Sequence, residues 1–222
     1  MPKGQTARSL VNDGGRQPAD ARLFELNAGA LCLDLANTVE KRPAGRARRD
    51  LLREYADLVD WGVQAGAISA QAGRRLRAAA AGHSAAASRA LTRARDAREA
   101  IFDAFAAVVR RQPASARCLD RLNRPLSLAM GHLRIHGRGR DLAFDWDDTS
   151  IDLDRIVWPA LKSAGELLTS PRRDRVRLCA APECDWLFLD QSKNGTRRWC
   201  DMTVCGNRAK ARRFYRRHHE PA

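Results

Sequence analysis

The protein has 222 residues, of which 44% are hydrophobic, enough for one medium-sized globular core and a small appended unit. Its formal net charge of +14 points to polyanionic partners. The sequence has no apolar run of membrane-spanning length and no signal core in its polar first twenty residues. We therefore expect a cytoplasmic protein with no membrane partner.

The first predicted helix carries a polar face. Residues 1–20 are predicted to be a disordered lead and residues 23–27 a short strand. Residues 29–39 are predicted to form a mostly buried helix, on which Asp34, Asn37 and Thr38 follow i, i+3, i+4 spacing and share one face. Buried polar groups need hydrogen-bond partners. Two interpretations stay open: a structural network that holds neighbouring loops, or a pocket for a small-molecule effector.

The remainder of residues 21–170 is predicted to be helical apart from one hairpin. Apolar periodicity predicts helices at residues 52–66, 69–81, 85–111, 116–130 and 151–169. Pro125 is expected to kink or break the fourth of these. Residues 133–136 and 142–146 alternate around a glycine-rich turn, which predicts a β-hairpin. Arg98, on the long helix, is predicted to be a solvated charge, with ligand binding as the alternative.

Four cysteines stand in two pairs near the C-terminus, after a polar linker at residues 170–174. Four residues separate Cys179 from Cys184 and Cys200 from Cys205, and fifteen residues lie between the pairs. This spacing is typical of one tetrahedral zinc. The alternatives are two disulfides in a secreted protein, which a reducing cytosol disfavours, or four unrelated thiols. Four thiolates leave no open coordination position, so the zinc is predicted to be structural.

The segment around these cysteines has the pattern of a treble-clef finger. Residues 186–190 have β character, Asn194 and Gly195 favour a turn, and residues 197–199 are predicted to be the returning strand. A helix is predicted from about residue 203 to 218. A knuckle, a hairpin and a helix that donates the second ligand pair describe a treble clef, whose folding metal binding would largely drive.

The final helix is predicted to be divided into an apolar and a basic side. One side is predicted to pack on the hairpin at Trp186 and Phe188, and it consists of Val204, Asn207, Ala211 and Phe214. The other side is predicted to contact nucleic acid, and it consists of Arg208, Lys210, Arg212, Arg213, Arg216 and Arg217. Residues 171–222 hold eleven arginines and two lysines against six acids, a net charge of +7. RNA and an acidic protein remain alternatives to DNA.

Two stretches resemble known families. Residues 200–210, Cys-Asp-Met-Thr-Val-Cys-Gly-Asn-Arg-Ala-Lys, with Trp199 before them, resemble the signature of the CGNR zinc finger. Residues 31–38, 57–62 and 98–101 resemble the ABATE domain that usually precedes this finger. The resemblance implies a transcription regulator that binds DNA through its finger. Its N-terminal domain would sense a ligand or dimerise, which makes a homo-oligomer an expectation.

The predicted fold is mainly α (α+β): a helical N-terminal domain with a small β-hairpin (residues 21–170), then a treble-clef zinc finger (residues 171–222). The sequence contains no phosphate-binding glycine motif, nucleophile elbow or recognisable catalytic set, so we predict that the protein is not an enzyme. The alternatives are an RNA- or protein-binding adaptor, and an enzyme whose site uses Asp34, Asn37 and Arg98.

Overall fold

The structure is a computed structural model that describes residues 23–40, 49–147 and 151–219. The predicted lead, residues 1–20, lies outside these residues. The helices are α1 (Leu31–Ala36), α2 (Tyr55–Gln64), α3 (Ala70–Gly82), α4 (Ser84–Val109), α5 (Ala116–Gly131), α6 (Trp158–Thr169) and α7 (Asn207–His219). Short 3₁₀ turns cover Leu153–Val157 and Pro171–Arg175, and a π-helical turn covers Met202–Gly206.

Six short strands form three separate antiparallel pairs in the described part of the chain. These pairs are β1 (Val39–Glu40) with β2 (Arg49–Asp50), β3 (Leu133–Arg138) with β4 (Asp141–Trp146), and β5 (Val176–Leu178) with β6 (Leu187–Leu189). The mainly helical class and the β3–β4 hairpin are therefore confirmed. None of the helices in the described residues has the length and apolar character needed to span a bilayer.

Helix α4 lies at the centre of the main core. Its buried stripe includes Ile101 and Phe105, both fully buried, and α1, α2, α3, α5 and α6 pack around it. The hydroxyls of Ser69 and Ser115 cap the N-termini of α3 and α5 by accepting backbone N–H groups at 3.1 and 3.2 Å. The predicted helical periodicity thus corresponds to faces buried against α4.

One local expectation for the N-terminal region is wrong, and a second is only partly tested. Residues 23–27 pair with no strand; instead the Gln64 amide accepts the N–H of Phe24 at 2.9 Å and donates to its carbonyl at 2.7 Å. A side chain therefore satisfies the backbone groups that a neighbouring strand would otherwise bind. Pro125 does not break α5, which continues through it from Ala116 to Gly131.

The β5–β6 hairpin packs in the core of the helical region. Val176, Leu187 and Leu189 are buried in the same apolar cluster as Ile101 and Phe105. The backbone N–H of Leu189 also donates to the carbonyl of Ala28, at 2.8 Å. The division into two domains at residue 170 stays a prediction, but the strands that flank the first cysteine pair share a core with the helices.

Asn37 joins the end of α1 to β6. Its Nδ2 donates to the carbonyl of Leu187 at 2.8 Å, and its Oδ1 accepts the N–H of Leu187 at 3.0 Å. Both residues are buried, at 3% and 0% exposure. The amide therefore acts as a strand partner for β6, in a place that water does not reach.

Replacing Asn37 by leucine should destabilise the fold. Asn37→Leu keeps a similar volume but leaves both backbone groups of Leu187 buried without a partner, which we expect to cost about 2–4 kcal/mol in the free energy of unfolding. Urea denaturation measures this loss. The control is Asn123→Leu on the exposed side of α5, expected to change stability by about 0.5 kcal/mol or less. Equal effects of the two substitutions would contradict the assigned role of Asn37.

Candidate metal centre

Four sulfur atoms, those of Cys179, Cys184, Cys200 and Cys205, lie within 4.8 Å of one another. The Sγ atoms of Cys184 and Cys200 are 3.6 Å apart, and those of Cys200 and Cys205 are 3.8 Å apart. A tetrahedron with Zn–S bonds of about 2.3 Å has edges of about 3.8 Å, so the cluster fits one zinc ion. None of the six cysteines is in a disulfide. One structural zinc per chain is therefore the cofactor that this cluster supports.

The first ligand pair lies in the turn between β5 and β6. Cys179 directly follows β5, and its N–H donates to the carbonyl of Trp186 at 2.9 Å. The N–H of Cys184 donates to the carbonyl of Ala181, also at 2.9 Å, which closes the turn. The two thiols thus come from one tight knuckle whose strands are buried in the main core.

The predicted hairpin between the cysteine pairs is wrong. Strand β6 pairs with β5, and residues 197–199 form no strand. The expected turn is present, because Gly195 adopts a φ of 64° and its N–H donates to the carbonyl of Ser192. The segment after it crosses to the knuckle instead, where the N–H of Ala180 donates to the carbonyl of Arg198 at 2.9 Å.

Two side chains that the sequence analysis did not single out shape this segment. The buried Asp190 carboxylate accepts the hydroxyl and the N–H of Ser192 and the N–H of Arg197. The guanidinium of Arg197 lies 4.7 Å above the ring of Phe188 and donates to the carbonyls of Trp199 and Cys200. Arg197 therefore holds the third ligand in place. An Asp two residues before a Ser is an Asx-turn signal that could have identified Asp190.

The last ligand lies in the π-helical turn that leads into α7. Asp201 caps this turn, since its Oδ1 accepts the N–H groups of Thr203 and Val204 at 2.6 and 3.0 Å. The hydrogen bond from the Thr203 hydroxyl and that from the Val204 backbone lower the pKa of Asp201. A Cβ at position 206 would lie 2.9 Å from Met202 Sδ, so a larger residue than Gly206 would require the Met202 side chain to move. A π turn at a functional site is a recurrent arrangement.

Four thiols at this separation influence one another's ionisation. Hydrogen bonds from Cys184 and Cys200 lower the pKa of Cys179, and its thiolate raises the pKa of Cys200. The cluster therefore resists holding four negative charges without a cation. Zinc would supply that cation in place of the thiol protons, which would couple metal binding to folding around the cluster.

The apolar side of α7 does not pack on the finger as predicted. Phe214 and Tyr215 are 55% and 60% exposed, while Phe188 is fully buried against the cysteine cluster. Instead the ring of Phe214 stacks on His218 at 4.1 Å. The core around the metal is too small to cover more than the first turn of the helix. Helix α7 consequently makes few contacts with the described elements other than the π turn from which it continues.

The predicted basic side of α7 is largely in solvent. Arg208, Lys210 and Arg213 are exposed and Arg212 is half-buried. The side chains of Arg216 and Arg217 lie outside what the structure describes. Arg208 also lines a cleft of about 650 Å³ beside the metal cluster, together with Arg49, Glu25, Glu183, Trp186 and Asp201. Nucleic-acid contact by these six cations stays a prediction.

The residues predicted as a ligand site have partners within the chain. Asp34 Oδ1 accepts the N–H of Ala28 at 3.0 Å, Thr38 donates to Leu35 O at 2.8 Å, and Asn37 binds Leu187. These bonds favour the structural network over the pocket. None of the three lines the cleft beside the cysteines.

Arg98 is a buried structural residue rather than a solvated charge. Its side chain is 3% exposed, and its guanidinium forms two hydrogen bonds with the Asp50 carboxylate, at 2.7 and 2.9 Å. A third bond joins Nε to Glu99 at 2.9 Å. Arg98 therefore ties β2 to α4, and ligand binding by it stays a prediction.

Fold and site together define a zinc-finger protein with a mainly helical N-terminal region. Comparison with protein families agrees: the ABATE family, described as "Putative stress-induced transcription regulator", matches residues 29–171, and the CGNR zinc finger matches residues 175–218. The chain belongs to the ABATE family and carries a CGNR zinc finger, as the sequence resemblance predicted. A search of curated proteins finds no match.

The ionisation of Asp34 should make stability depend on pH. Burial raises the pKa of Asp34 to about 6, whereas an unfolded Asp has a pKa of about 3.9. Between these values the folded chain holds a proton that the unfolded chain has lost, so the free energy of unfolding should decrease as pH rises, by at most about 1.4 kcal/mol per pH unit. Asp34→Asn keeps the acceptor for Ala28 and should lack this decrease.

Urea unfolding of both proteins between pH 4.5 and pH 7 checks this prediction. The informative quantity is the difference in stability between wild type and Asp34→Asn, because the other carboxylates and the metal site contribute to both proteins. The wild type should lose stability relative to the variant as pH rises through the window. A difference that does not change with pH would mean that Asp34 is ionised in the fold.

Removing the third ligand should release the metal and loosen only part of the finger. Cys200→Ser leaves three thiolates, so we expect loss of most of the bound zinc and of hydrogen-exchange protection over residues 202–219. Strands β5 and β6 should stay protected because Val176, Leu187 and Leu189 lie in the main core. Cys118→Ser, outside the cluster, should keep one zinc. Full zinc retention by Cys200→Ser would refute the assignment.

Proposed function

We propose that this protein is a transcription regulator that binds duplex DNA through α7. The observation that carries the proposal is the charge of this helix: six cations and no acid in the 13 residues from Asn207 to His219. Solvated helices ordinarily mix charges of both signs, and a helix of one sign is typical of a phosphate-binding surface. The description of the ABATE family as a regulator agrees with this function.

The position of α7 supports contact with the major groove. A 13-residue helix is about 20 Å long, and the groove of B-form DNA, about 12 Å wide, admits a helix. Most residues of α7 whose burial is described, including Arg208, Lys210 and Arg213, are exposed, so the helix is accessible to a partner. The deep, narrow major groove of A-form RNA would not admit it, which favours DNA over RNA.

The metal centre would fix the N-terminal end of the DNA-binding helix in place. We propose a treble-clef arrangement, supported by the knuckle between β5 and β6 and by Cys205 in the turn that starts α7. Zinc bound there would hold the first turn of the helix against the knuckle. Arg208, which shares a cleft with Cys200 and Cys205, would offset the negative charge of a zinc ion bound by four thiolates.

The helical region would orient the finger rather than carry out a reaction. Asn37 and the buried strands β5 and β6 fix the knuckle to α1 and α4. The intrachain bonds of Asp34, Thr38 and Arg98 support a structural role for these residues. A cytoplasmic location fits a metal held by four reduced thiols.

The salt dependence of binding tests the contact between α7 and phosphates. Three to five phosphate contacts should give a log–log slope of about −3 to −4.5 for affinity against salt. Arg212→Ala combined with Arg213→Ala should reduce the steepness of this slope by about one to two units and weaken binding to most sequences alike. Fluorescence anisotropy with zinc-loaded full-length protein and duplex DNA measures both effects.

The matched control is Arg74→Ala combined with Arg75→Ala, an adjacent exposed pair on α3. This variant loses the same charge but should keep the wild-type slope. Affinity that does not change between low and physiological salt would contradict the proposal. So would equal effects of the two double variants, since net charge rather than α7 would then explain binding.

A further inference from the structure

The β3–β4 hairpin exposes an apolar face. Ile135, Leu142 and Phe144 are 66%, 73% and 65% exposed. Ile135 lies opposite Phe144 in the strand register, Gly137 opposite Leu142, and Leu133 opposite Trp146. Cross-strand partners and alternate residues of a strand point to the same side of a sheet. The hairpin face is therefore one continuous apolar surface, formed by Leu133, Ile135, Leu142, Phe144 and Trp146.

The inner end of the hairpin face is anchored in the protein. Trp146 is half-buried, and its ring centroid lies 5.8 Å from that of Trp158, which itself stacks on His132 at 4.1 Å. The outer end of the hairpin face extends beyond the contact between Trp146 and Trp158. Ile135, Leu142 and Phe144 thus continue the apolar surface of the core into solvent.

The other side of the hairpin is polar. Arg134 lies opposite Asp145, and His136 opposite Ala143. An isolated two-stranded hairpin is only marginally stable in water. Apolar and polar residues alternate along β3 and β4, so we expect another apolar surface to cover the apolar side. Contiguous exposed apolar side chains of this kind mark interaction sites, unlike single exposed ones.

Charge decides what can cover the hairpin face. Residues 133–146 contain three arginines and two aspartates, a net charge of +1, in a chain whose net charge is +14. Two copies therefore meet little local repulsion at this hairpin. The exposed aromatic rings of α7, in contrast, belong to a helix whose sequence contains six cationic residues and no acid, and this charge would repel a second copy there.

We propose that the hairpin face is the interface of a homodimer. An apolar face can be buried against its own twofold-related copy, because a twofold axis brings the same surface together from both chains. The hairpin face has an apolar centre, and charged residues of the same hairpin lie around it. This composition is typical of a protein–protein interface. Such a dimer would present two α7 helices, as dimers that bind two DNA half-sites do. The dimer itself does not depend on DNA binding.

Sedimentation velocity of the zinc-loaded full chain tests this proposal, at concentrations from about 1 to about 200 µM. The mass should rise from 24.7 kDa toward twice that value. Raising salt from about 0.15 to about 0.5 M screens the repulsion between the two positive chains, so association should be maintained or strengthened. DNA binding should weaken over the same range, which distinguishes failure of one proposal from failure of the other.

Phe144→Glu and Ala143→Glu form a matched pair, one on each side of β4. We expect Phe144→Glu to weaken self-association at least about tenfold and Ala143→Glu to leave it near the wild-type value. Melting curves at a concentration where all chains are monomers should be similar for both variants, since Phe144 and Ala143 are exposed in the monomer. This similarity separates lost association from lost folding.

Hydrogen exchange gives a readout that does not depend on the substitutions. The amides of β3 and β4 should gain protection as the concentration of wild-type protein rises. Sedimentation as a monomer at every concentration would overturn the proposal, as would equal weakening by both variants. Protection gained on adding neutral lipid vesicles to a monomeric chain would assign the hairpin face to a membrane surface instead.

Discussion

The buried amide of Asn37 is the constraint on which the arrangement of the finger depends. It forms both hydrogen bonds of a strand partner with Leu187, at the first residue of β6. Because Cys184 precedes Leu187 by only three residues, this pairing sets the position of the first ligand pair relative to α1. The Trp186 indole adds a second tie by donating to the carbonyl of Val39 at 2.9 Å. The metal centre is thus built onto the helical core.

The two halves of the metal centre are held by different forces. The knuckle that carries Cys179 and Cys184 is anchored by apolar burial of the flanking strands, which does not require the metal. Cys200 and Cys205 come from a segment with a small core, held by the Asp190 and Arg197 contacts. Zinc bound by the four cysteines would therefore join the half that is buried in the main core to the half with the smaller core. The direction of α7 depends on that junction, since this helix begins immediately after Cys205.

Local patterns in the sequence predicted local structure well. Apolar periodicity identified the major helices, glycine and alternation identified β3–β4, and spacing identified the four cysteines. Periodicity shows that a face is apolar but not what covers it, which is why Phe214 was wrongly placed against the finger. A turn does not show which strands pair, so the turn at Gly195 could not reveal that β6 pairs with β5, the preceding strand, from which eight residues separate it. The burial of Arg98 depends on Asp50, which lies 48 residues earlier in the chain.

The exposed aromatic residues of α7 and the hairpin face of β3–β4 lie in different charge environments, which favour different partners. The aromatic rings of α7 lie on a helix of uniform positive charge, so any partner there must itself be anionic enough to offset the cations. The hairpin face lies on an element with nearly balanced charge, so apolar burial can act there without a large electrostatic cost. In the proposed dimer, the positive charge of α7 would keep copies apart at that helix, and β3–β4 would be the surface where they meet. Separating the two surfaces in this way would let the protein self-associate without covering the helix proposed to bind DNA.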